Sequence, residues 1–316
     1  MRAVFLERES LDRGDLDLSG AEAAVDEIVY HNHTSADQVL ERITGFEIVI
    51  ANKVRVSRQD LEQARPKMIA VVATGVNNID LDACQELGIT VVNVRGYGTD
   101  SVAQHAIGLL LALATRLIDY HRDVQQGEWN RSAHFCLLDY PIVELAGKKL
   151  GVVGLGTLGG RTAELARALG MEVLSAQRPG GKPQPDRVPL DELLPQVDAL
   201  TLHCPLTDDT RGLIGRRELA MMKPTAFIIN TARGGLVDEE ALVEALRQRR
   251  LGGAGFDVLT EEPPRSGNPL LDDDIPNLIV TPHSAWGSHE ARQRICEQLA
   301  ENIRGWRNGE PVRVVV

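Results

Sequence analysis

The segment GVVGLGTLGG, residues 151–160, contains Gly154, Gly156 and Gly159 in a G-x-G-x-x-G pattern. A buried β-type run, KLGVV, precedes it, and a helical pattern, RTAELARALG, follows it, which is the context that this pattern requires. Gly154 permits a tight turn, Gly156 lets the backbone approach a pyrophosphate, and Gly159 lets the helix pack closely on the strand. Because the helix N-terminus also attracts phosphates, we predict a dinucleotide site. A merely structural strand-to-helix turn is the alternative.

Short β-type runs alternate with helical patterns on both sides of this turn. Before it, strands are predicted at AVFL, EIVIAN, MIAVVA and TVVNV, and helices at SADQVLERI, DLDACQELG and from Ser101 to about Gln126. After it, strands are predicted at MEVLSA, DALTLHC, TAFIINT, LGGAGFDV and NLIVTPH, and helices at DEEALVEALRQRR and SHEARQRICEQLAENIRGWRNG. Such alternation predicts α/β architecture with parallel sheets covered by helices.

Composition narrows the possible partners. The 316 residues carry 34 Lys and Arg against 45 Asp and Glu, and this net charge of −11 disfavours nucleic acid. The longest apolar run, residues 106–114, is too short to span a bilayer, and we expect a cytoplasmic protein with no membrane partner. His31 and His33 have no third ligand nearby, so no metal site is predicted. The four cysteines are far apart in the sequence, so neither disulfide bonds nor a cysteine zinc site is predicted: Cys84, Cys136, Cys204 and Cys296.

Three further segments place reactive side chains just after predicted strands. NTARGG carries Arg233, FDVLTEEPP carries Asp257 and Glu262, and TPHSAWGS carries His283. An arginine grips a carboxylate and polarises a carbonyl, and a histidine gives or takes a proton. A carboxylate beside the histidine fixes the ring tautomer. These residues predict carbonyl reduction at the carboxyl ends of parallel strands, with Glu261 as the alternative to Glu262.

With these motifs the chain resembles the D-isomer-specific 2-hydroxyacid dehydrogenases over nearly its full length. TPHSAWGSHEARQR, ATGVNNIDLDAC and GTDSVAQHAIGLLLAL are similar to the glycerate dehydrogenase (hydroxypyruvate reductase) branch. The resemblance implies two doubly wound parallel-sheet α/β domains. One is a central Rossmann cofactor domain, residues 100–286, and the other is a discontinuous flavodoxin-like substrate domain, residues 1–99 and 287–316. It also implies a homodimer formed largely through the cofactor domains.

The resemblance also assigns roles to individual residues. Arg233, Glu262 and His283 are expected to be catalytic, and Asp257 is expected to hold the nicotinamide carboxamide. The backbone amides around Thr74 and Gly75 are expected to hold the substrate carboxylate, which Arg233 also binds, and Lys53 is a weaker candidate for the substrate pocket. Apart from the resemblance, the place of Trp286 just after His283 gives it two alternative roles, in the substrate pocket or as a cap on the core. Other positions match those that line the cofactor: Thr99, Val102, Thr157, Leu158, Cys204, Pro205, Thr210, Thr231 and Ala232.

The end of the strand MEVLSA bears on the choice of cofactor. An acidic residue there would bond the ribose hydroxyls of NAD and repel a 2′-phosphate. The chain has Gln177 instead, with Arg178 next to it and Lys182 in the same polar loop. Gln177 repels nothing and Arg178 can pair with a phosphate, so we expect NADP or NAD to bind, with NADP favoured. The alternative is that Arg178 is a solvated loop cation and that Gln177 serves NAD.

Two classes of function fit these residues. The first is a nicotinamide-dependent reductase of small 2-keto acids, acting on hydroxypyruvate or glyoxylate to give D-glycerate or glycolate. The alternatives are a non-enzymatic nucleotide-sensing protein of the same fold, or a relative that oxidises phosphite or formate. The chain keeps Arg233, Glu262 and His283 and lacks a long disordered tail for partner recruitment, and both features favour the enzyme.

Overall fold

A computed structural model describes residues 1–177, 181 and 184–316. The chain divides into a first unit, Met1–Gly98 with Gly287–Val316, and a second unit, Thr99–Trp286. The first boundary falls one residue before the predicted one. Each unit contains a parallel sheet flanked by helices, so the predicted α/β fold class is confirmed.

Eleven strands and twelve α-helices are present in the described residues. The strands are β1 (Arg2–Phe5), β2 (Glu27–Tyr30), β3 (Ile48–Ala51), β4 (Met68–Val71), β5 (Thr90–Val92), β6 (Lys149–Val153), β7 (Glu172–Ser175), β8 (Ala199–Leu202), β9 (Phe227–Asn230), β10 (Gly253–Phe256) and β11 (Leu278–Val280). The helices are α1 (Ser19–Glu22), α2 (Val39–Ile43), α3 (Arg58–Ala64), α4 (Leu81–Leu87), α5 (Thr99–Thr115), α6 (Leu117–Gln125), α7 (Glu128–Arg131), α8 (Thr157–Ala168), α9 (Leu190–Leu193), α10 (Arg216–Met221), α11 (Glu239–Arg247) and α12 (His289–Arg307). Short 3₁₀ turns occur at Arg8–Ser10, Ala36–Gln38 and Pro269–Leu271.

The first unit is built on a five-stranded sheet in the order β2-β1-β3-β4-β5, which is the flavodoxin-like order. Every residue of β3 and β4 is buried, because a parallel sheet is covered on both faces and its central strands are therefore continuously apolar. The sequence analysis missed β2. This edge strand, EIVY, is partly exposed and has only two aliphatic residues, so it lacks the apolar run by which the other strands were found.

The second unit is built on a six-stranded parallel sheet in the order β11-β10-β9-β8-β6-β7. A parallel bridge between Ala176 and Val188 continues the sheet beyond β7, so β6 lies inside the sheet as the first strand of a dinucleotide-binding fold does. Helices α5 and α8 cover one face through a core that includes Leu110, Leu113 and Ala163. Helices α9, α10 and α11 cover the other face. The carboxyl ends of all six strands therefore share one edge.

The prediction of one long helix from Ser101 to about Gln126 is wrong. Helices α5 and α6 are separate and meet at a 60° bend. Arg116, between them, has a left-handed backbone with φ of 55°. Its guanidinium lies 2.8 Å from Asp119 and stacks over the Tyr140 ring, 4.9 Å from the ring centroid. These side-chain contacts stabilise the bend between the two helices. The sequence has neither glycine nor proline at this position, so it does not predict the bend.

Within the described residues, no one helix is long and apolar enough to cross a membrane. The bent pair of α5 and α6 meets the length and composition criteria only when its two helices are counted together.

Candidate active site

The glycine-rich turn between β6 and α8 has the backbone geometry that its sequence predicts. Gly154 has a φ of +94°, and a Cβ placed on it would lie 2.7 Å from the backbone nitrogen of Cys204. A Cβ on Gly159 would lie 2.2 Å from the carbonyl oxygen of Gly154. Both positions therefore exclude any side chain, and the turn can close only with glycine.

Gly156 differs from these two glycines because it faces open space. Among the described residues, no heavy atom lies within 4 Å of a Cβ placed on it. Gly156 is also the N-cap of α8, and in the described part of the chain no side chain caps this end and no acidic residue occupies its first turn. The first amides of a helix have no intrahelical partner, and the dipole favours an anion there. The turn therefore fits the diphosphate of a dinucleotide.

Other predicted cofactor positions follow the neighbouring strands. Cys204 and Pro205 follow β8, and Thr231 and Ala232 follow β9. The Thr231 hydroxyl is buried and has no hydrogen-bond partner in the residues described, so a polar atom remains to be satisfied there. Thr210 uses its hydroxyl within its own loop, because this hydroxyl donates to the carbonyl of Pro205 at 2.7 Å.

The helix α5 begins with two more of these positions. Thr99 is its first residue and is partly exposed, and Val102 is buried. At the other predicted turn, Thr157 and Leu158 open α8 and supply two of its free-ended amides. All four residues therefore lie in the first turns of helices of the second unit.

His203 lies beside the glycine-rich turn as a buried imidazole. Its Nε2 is 2.9 Å from the Thr201 hydroxyl, and its Nδ1 has no partner in the described residues. Burial lowers its pKa to about 4, so the ring is neutral at physiological pH.

The end of β7 carries Gln177, whose backbone nitrogen donates to the carbonyl of Val188 at 2.8 Å. Its side-chain amide donates to the carbonyl of Gly181 at 3.4 Å. Arg178 and Lys182 lie outside the described residues. Sequence analysis overlooked Arg187, whose guanidinium donates to the Ser175 hydroxyl and adds a cation close to this strand end.

His283 and Glu262 are in direct contact. His283 Nδ1 lies 2.6 Å from Glu262 Oε2, and each side chain is about one-third exposed. The other carboxylate oxygen, Oε1, accepts the backbone N–H of Leu259 at 2.9 Å. Both oxygens of Glu262 are therefore engaged, and the ring is held by Nδ1 with Nε2 on its opposite side. Of the two adjacent glutamates, Glu262 makes this contact.

The loop that carries Arg233 is fixed by residues that the sequence analysis missed. Asn230 is fully buried, donates to the carbonyl of Arg233 at 2.9 Å and accepts the N–H of Ala232 at 3.1 Å. A Cβ on Gly234 would lie 1.9 Å from the carbonyl oxygen of Leu259. The backbone after Arg233 therefore touches the backbone just before Glu262, and only glycine permits this approach. The Arg233 side chain is exposed.

Asp257 organises the loop of His283. Its carbonyl accepts the N–H of His283 at 2.8 Å, and its two carboxylate oxygens accept the N–H groups of Ser284 and Ala285, each at 2.9 Å. His283 itself has a left-handed φ of 52°. The carboxylate is 1% exposed, and its Oδ1 also lies 2.5 Å from the Thr281 hydroxyl and 3.6 Å from His105 Nε2. Trp286, which ends the loop, is partly buried.

In the first unit, Glu7 organises the loop after β3. Its Oε1 accepts the backbone N–H groups of Asn52, Lys53 and Val54. The Lys53 side chain is exposed. No local motif marks Glu7, because its hydrogen-bond partners lie more than forty residues away along the chain.

The neighbouring loop after β4 carries Thr74 and Gly75. The Thr74 hydroxyl donates to the carbonyl of Val94 at 3.0 Å, and Asn93 donates to the carbonyl of Thr74 at 2.8 Å. Asn78 donates to the carbonyl of Val54 at 2.8 Å and so ties this loop to that of Lys53. Strands β3 and β4 are parallel neighbours, so the two loops leave the same edge of the sheet.

Comparison with known proteins identifies the family. The family model described as D-isomer specific 2-hydroxyacid dehydrogenase, NAD binding domain, matches residues 107–285. The chain belongs to the D-isomer specific 2-hydroxyacid dehydrogenase family. It is 45% identical to a glycerate dehydrogenase of Methylorubrum extorquens, over 99% of this chain and 98% of that one. It is 38% identical to a hydroxypyruvate reductase of Blautia hydrogenotrophica, over 100% and 99% of the two chains.

A solved structure is also similar to this chain over its full length. The acyclic imino acid reductase Bsp5, in complex with NADPH and D-Arg, superposes with a TM-score of 0.86 at 27% identity over 100% of both chains. These findings confirm the predicted resemblance, the enzyme class and a nicotinamide cofactor. They do not favour the non-enzymatic alternative.

Proposed function

We propose that this D-2-hydroxyacid dehydrogenase reduces hydroxypyruvate or glyoxylate to D-glycerate or glycolate. The names of the relatives support this substrate class. The observation that carries the proposal is the 2.6 Å contact between His283 and Glu262, beside the loop of Arg233. The carboxyl ends of the strands in the second sheet therefore carry three groups: the acid His283, the carboxylate of Glu262 that orients it, and the guanidinium of Arg233. The glycine-rich turn lies at the same edge of this sheet.

The chemistry assigned to each residue follows from these contacts. The reduced nicotinamide, when bound, supplies the hydride. Arg233 binds the substrate carboxylate and polarises the carbonyl, because its planar fork presents several N–H donors at once. His283 donates the proton on Nε2 to the carbonyl oxygen, since Nδ1 is occupied by Glu262. Glu262 then stabilises the doubly protonated ring before transfer and fixes its tautomer.

For the cofactor, we propose that the diphosphate lies at the N-terminus of α8, against Gly154, Gly156, Thr157, Leu158 and Gly159. The ribose of the adenosine half then lies by Gln177. The remaining predicted positions would line the other half: Thr99, Val102, Cys204, Pro205, Thr210, Thr231, Ala232 and Asp257. Because the Asp257 carboxylate already accepts two amides, its contact with the carboxamide uses a remaining lone pair.

NADP is the cofactor that we favour, with NAD also accepted. Gln177 does not repel a 2′-phosphate, and the next residue in the sequence, Arg178, is a cation. A relative of the same fold binds NADPH, which supports the capacity of this architecture for the phosphorylated cofactor.

Candidate substrate-binding residues are proposed in each of the two units. In the first, the amides of Thr74 and Gly75 hold the substrate carboxylate, and Lys53 contributes a positive charge. Support comes from the hydrogen bonds that fix both loops at the same edge of the sheet. In the second, Trp286 shapes the pocket next to Arg233.

A homodimer is proposed on the surface of the second unit. Several large apolar side chains are exposed within one stretch, residues 111–142, including Phe135 at 91%, Leu138 at 78% and Leu117 at 62%. Soluble monomers rarely expose apolar side chains in such a group. Sedimentation of wild type against a Phe135→Ser/Leu138→Ser variant tests this: a dimer that becomes a monomer supports it, and a wild-type monomer contradicts it.

The cytoplasmic location rests on composition and remains a prediction.

The experiment that tests the proposed reaction is a panel of 2-keto acids, assayed with NADH and NADPH. Hydroxypyruvate and glyoxylate are expected to give the highest kcat/KM, and the product of hydroxypyruvate is expected to be D-glycerate. A preference for a bulky 2-keto acid, or turnover of phosphite or formate alone, would refute the proposed substrate class.

A further inference from the structure

The proposed reaction leaves His105 without a role. This residue lies on α5, and its side chain is 25% exposed. Its Nε2 lies 2.9 Å from the hydroxyl of Thr281 and 3.6 Å from Asp257 Oδ1. A histidine of the covering helix therefore reaches the strand end from which the loop of His283 begins.

The direction of these hydrogen bonds follows from the number of protons available. Thr281 Oγ1 lies 2.5 Å from Asp257 Oδ1, and a carboxylate that already accepts two amides is an acceptor only. The single hydroxyl proton of Thr281 therefore goes to Asp257. Thr281 has only lone pairs left for His105, so His105 must donate through an N–H on Nε2.

This series of hydrogen bonds ends at His283. Asp257 accepts the amides of His283, Ser284 and Ala285 in succession, through its carbonyl and its two carboxylate oxygens. His283 has a left-handed backbone, which is unfavourable for a residue with a Cβ. The surrounding hydrogen bonds must therefore hold it in place.

A second bond joins α5 to the same loop. The hydroxyl of Ser101, one turn before His105, donates to the carbonyl of Ala285 at 2.6 Å. The helix therefore contacts the loop at its start, through Thr281, and near its end, through Ala285.

We propose that His105 is a positioning residue: its Nε2–H, acting through Thr281 and Asp257, fixes the loop that aims the His283 imidazole. This inference rests on the proposed role of His283 as the proton donor. Its consequence is that His105 contributes to the rate of proton transfer and contributes little to cofactor binding.

The test compares His105→Leu with His105→Gln. Leucine removes the donor, whereas glutamine retains an N–H at the end of a flexible side chain. One hydrogen bond is worth about 0.5–1.5 kcal/mol, so His105→Leu is expected to lower kcat for hydroxypyruvate about 2- to 12-fold. His105→Gln is expected to recover most of that loss. The Kd of the reduced cofactor, measured by fluorescence, should stay within about twofold of wild type in both variants.

Two further variants test the path. Gln104→Leu changes an exposed neighbour on the same helix and should leave kcat unchanged. Thr281→Val breaks the chain at its middle, so adding His105→Leu to it should cause little further loss. Additive losses, an unchanged kcat in His105→Leu, or equal losses in the leucine and glutamine variants would each overturn the proposal.

The role of His283 is tested in parallel by His283→Ala. If His283→Ala is impaired and His105→Leu is not, the inference about His105 fails and the proposed reaction stands. If His283→Ala retains the wild-type kcat, the proposed function itself fails.

Discussion

The substitution Glu262→Gln separates the charge of this residue from its shape. In the wild type, both carboxylate oxygens accept: Oε2 faces His283 Nδ1 at 2.6 Å and Oε1 accepts the N–H of Leu259 at 2.9 Å. Glutamine has one oxygen and one NH₂ group, so it cannot accept from both partners. If its oxygen stays with Leu259, its NH₂ donates to Nδ1 of His283. That arrangement requires an unprotonated Nδ1 and disfavours the doubly protonated ring.

The magnitude follows from the type of bond that is lost. A hydrogen bond to a charged group contributes about 1.5–3 kcal/mol, which corresponds to about 10- to 150-fold in rate. Glu262→Gln should therefore lower kcat for hydroxypyruvate reduction by about that factor at neutral pH.

Steady-state rates at neutral pH measure this effect, and Glu261→Gln is the matched control. This control removes the same charge one residue away and should retain near-normal rates. The assigned role of Glu262 is refuted if Glu262→Gln keeps the wild-type kcat, or if Glu261→Gln causes the larger loss.

Four other predictions concern separate parts of the molecule. Arg233→Lys should lower kcat/KM for 2-keto acids at least about 10-fold, because a point charge cannot replace the planar fork, and leave the Kd of the cofactor nearly unchanged; a change in cofactor affinity alone would place this arginine in the nucleotide site instead. Gln177→Asp should shift the ratio of kcat/KM values toward NADH, because a carboxylate repels a 2′-phosphate, and an unchanged ratio would contradict this. Glu7→Ala should destabilise the protein by about 2–4 kcal/mol in urea denaturation, since three backbone N–H groups lose their acceptor; wild-type stability would show that these amides are satisfied otherwise. Because burial lowers the pKa of His203 to about 4, its neutral form stabilises the fold above its unfolded pKa, and that stability is lost as pH falls from about 6.5 toward 4; the loss between pH 7 and pH 5 should be smaller by about 2 kcal/mol in His203→Gln, and equal losses in both proteins would count against the buried neutral ring.

Most of the fold was predictable because parallel strands covered on both faces appear as short apolar runs. Strands such as β3 and β4 have this pattern, and turn residues or helical patterns follow them. The half-exposed edge strand β2 lacks it. The break at Arg116 was also hidden, because it is held by Asp119 and Tyr140 and by no local turn residue.

The candidate site was predictable where its chemistry resides in a local motif. The glycine-rich turn and the segments of Arg233 and His283 are each contained in a few consecutive residues. The supporting residues were not, because their partners are distant in the chain. His105 contacts Thr281 and Glu7 contacts the loop of Lys53, and only the folded chain brings them together. Asn230 adjoins Arg233 in sequence, but its burial and its two clamping bonds become apparent only in the fold.

The proposed reaction is tested by measuring the reduction of hydroxypyruvate by wild type and by His283→Ala, with the chirality of the product determined. We expect the wild type to consume one reduced cofactor for each D-glycerate formed. General acid catalysis contributes about 10²- to 10⁴-fold, so His283→Ala should lower kcat by that factor while the reduced cofactor still binds. A wild type that binds the cofactor and reduces no 2-keto acid, or a His283→Ala variant with near-normal kcat at neutral pH, would contradict the account.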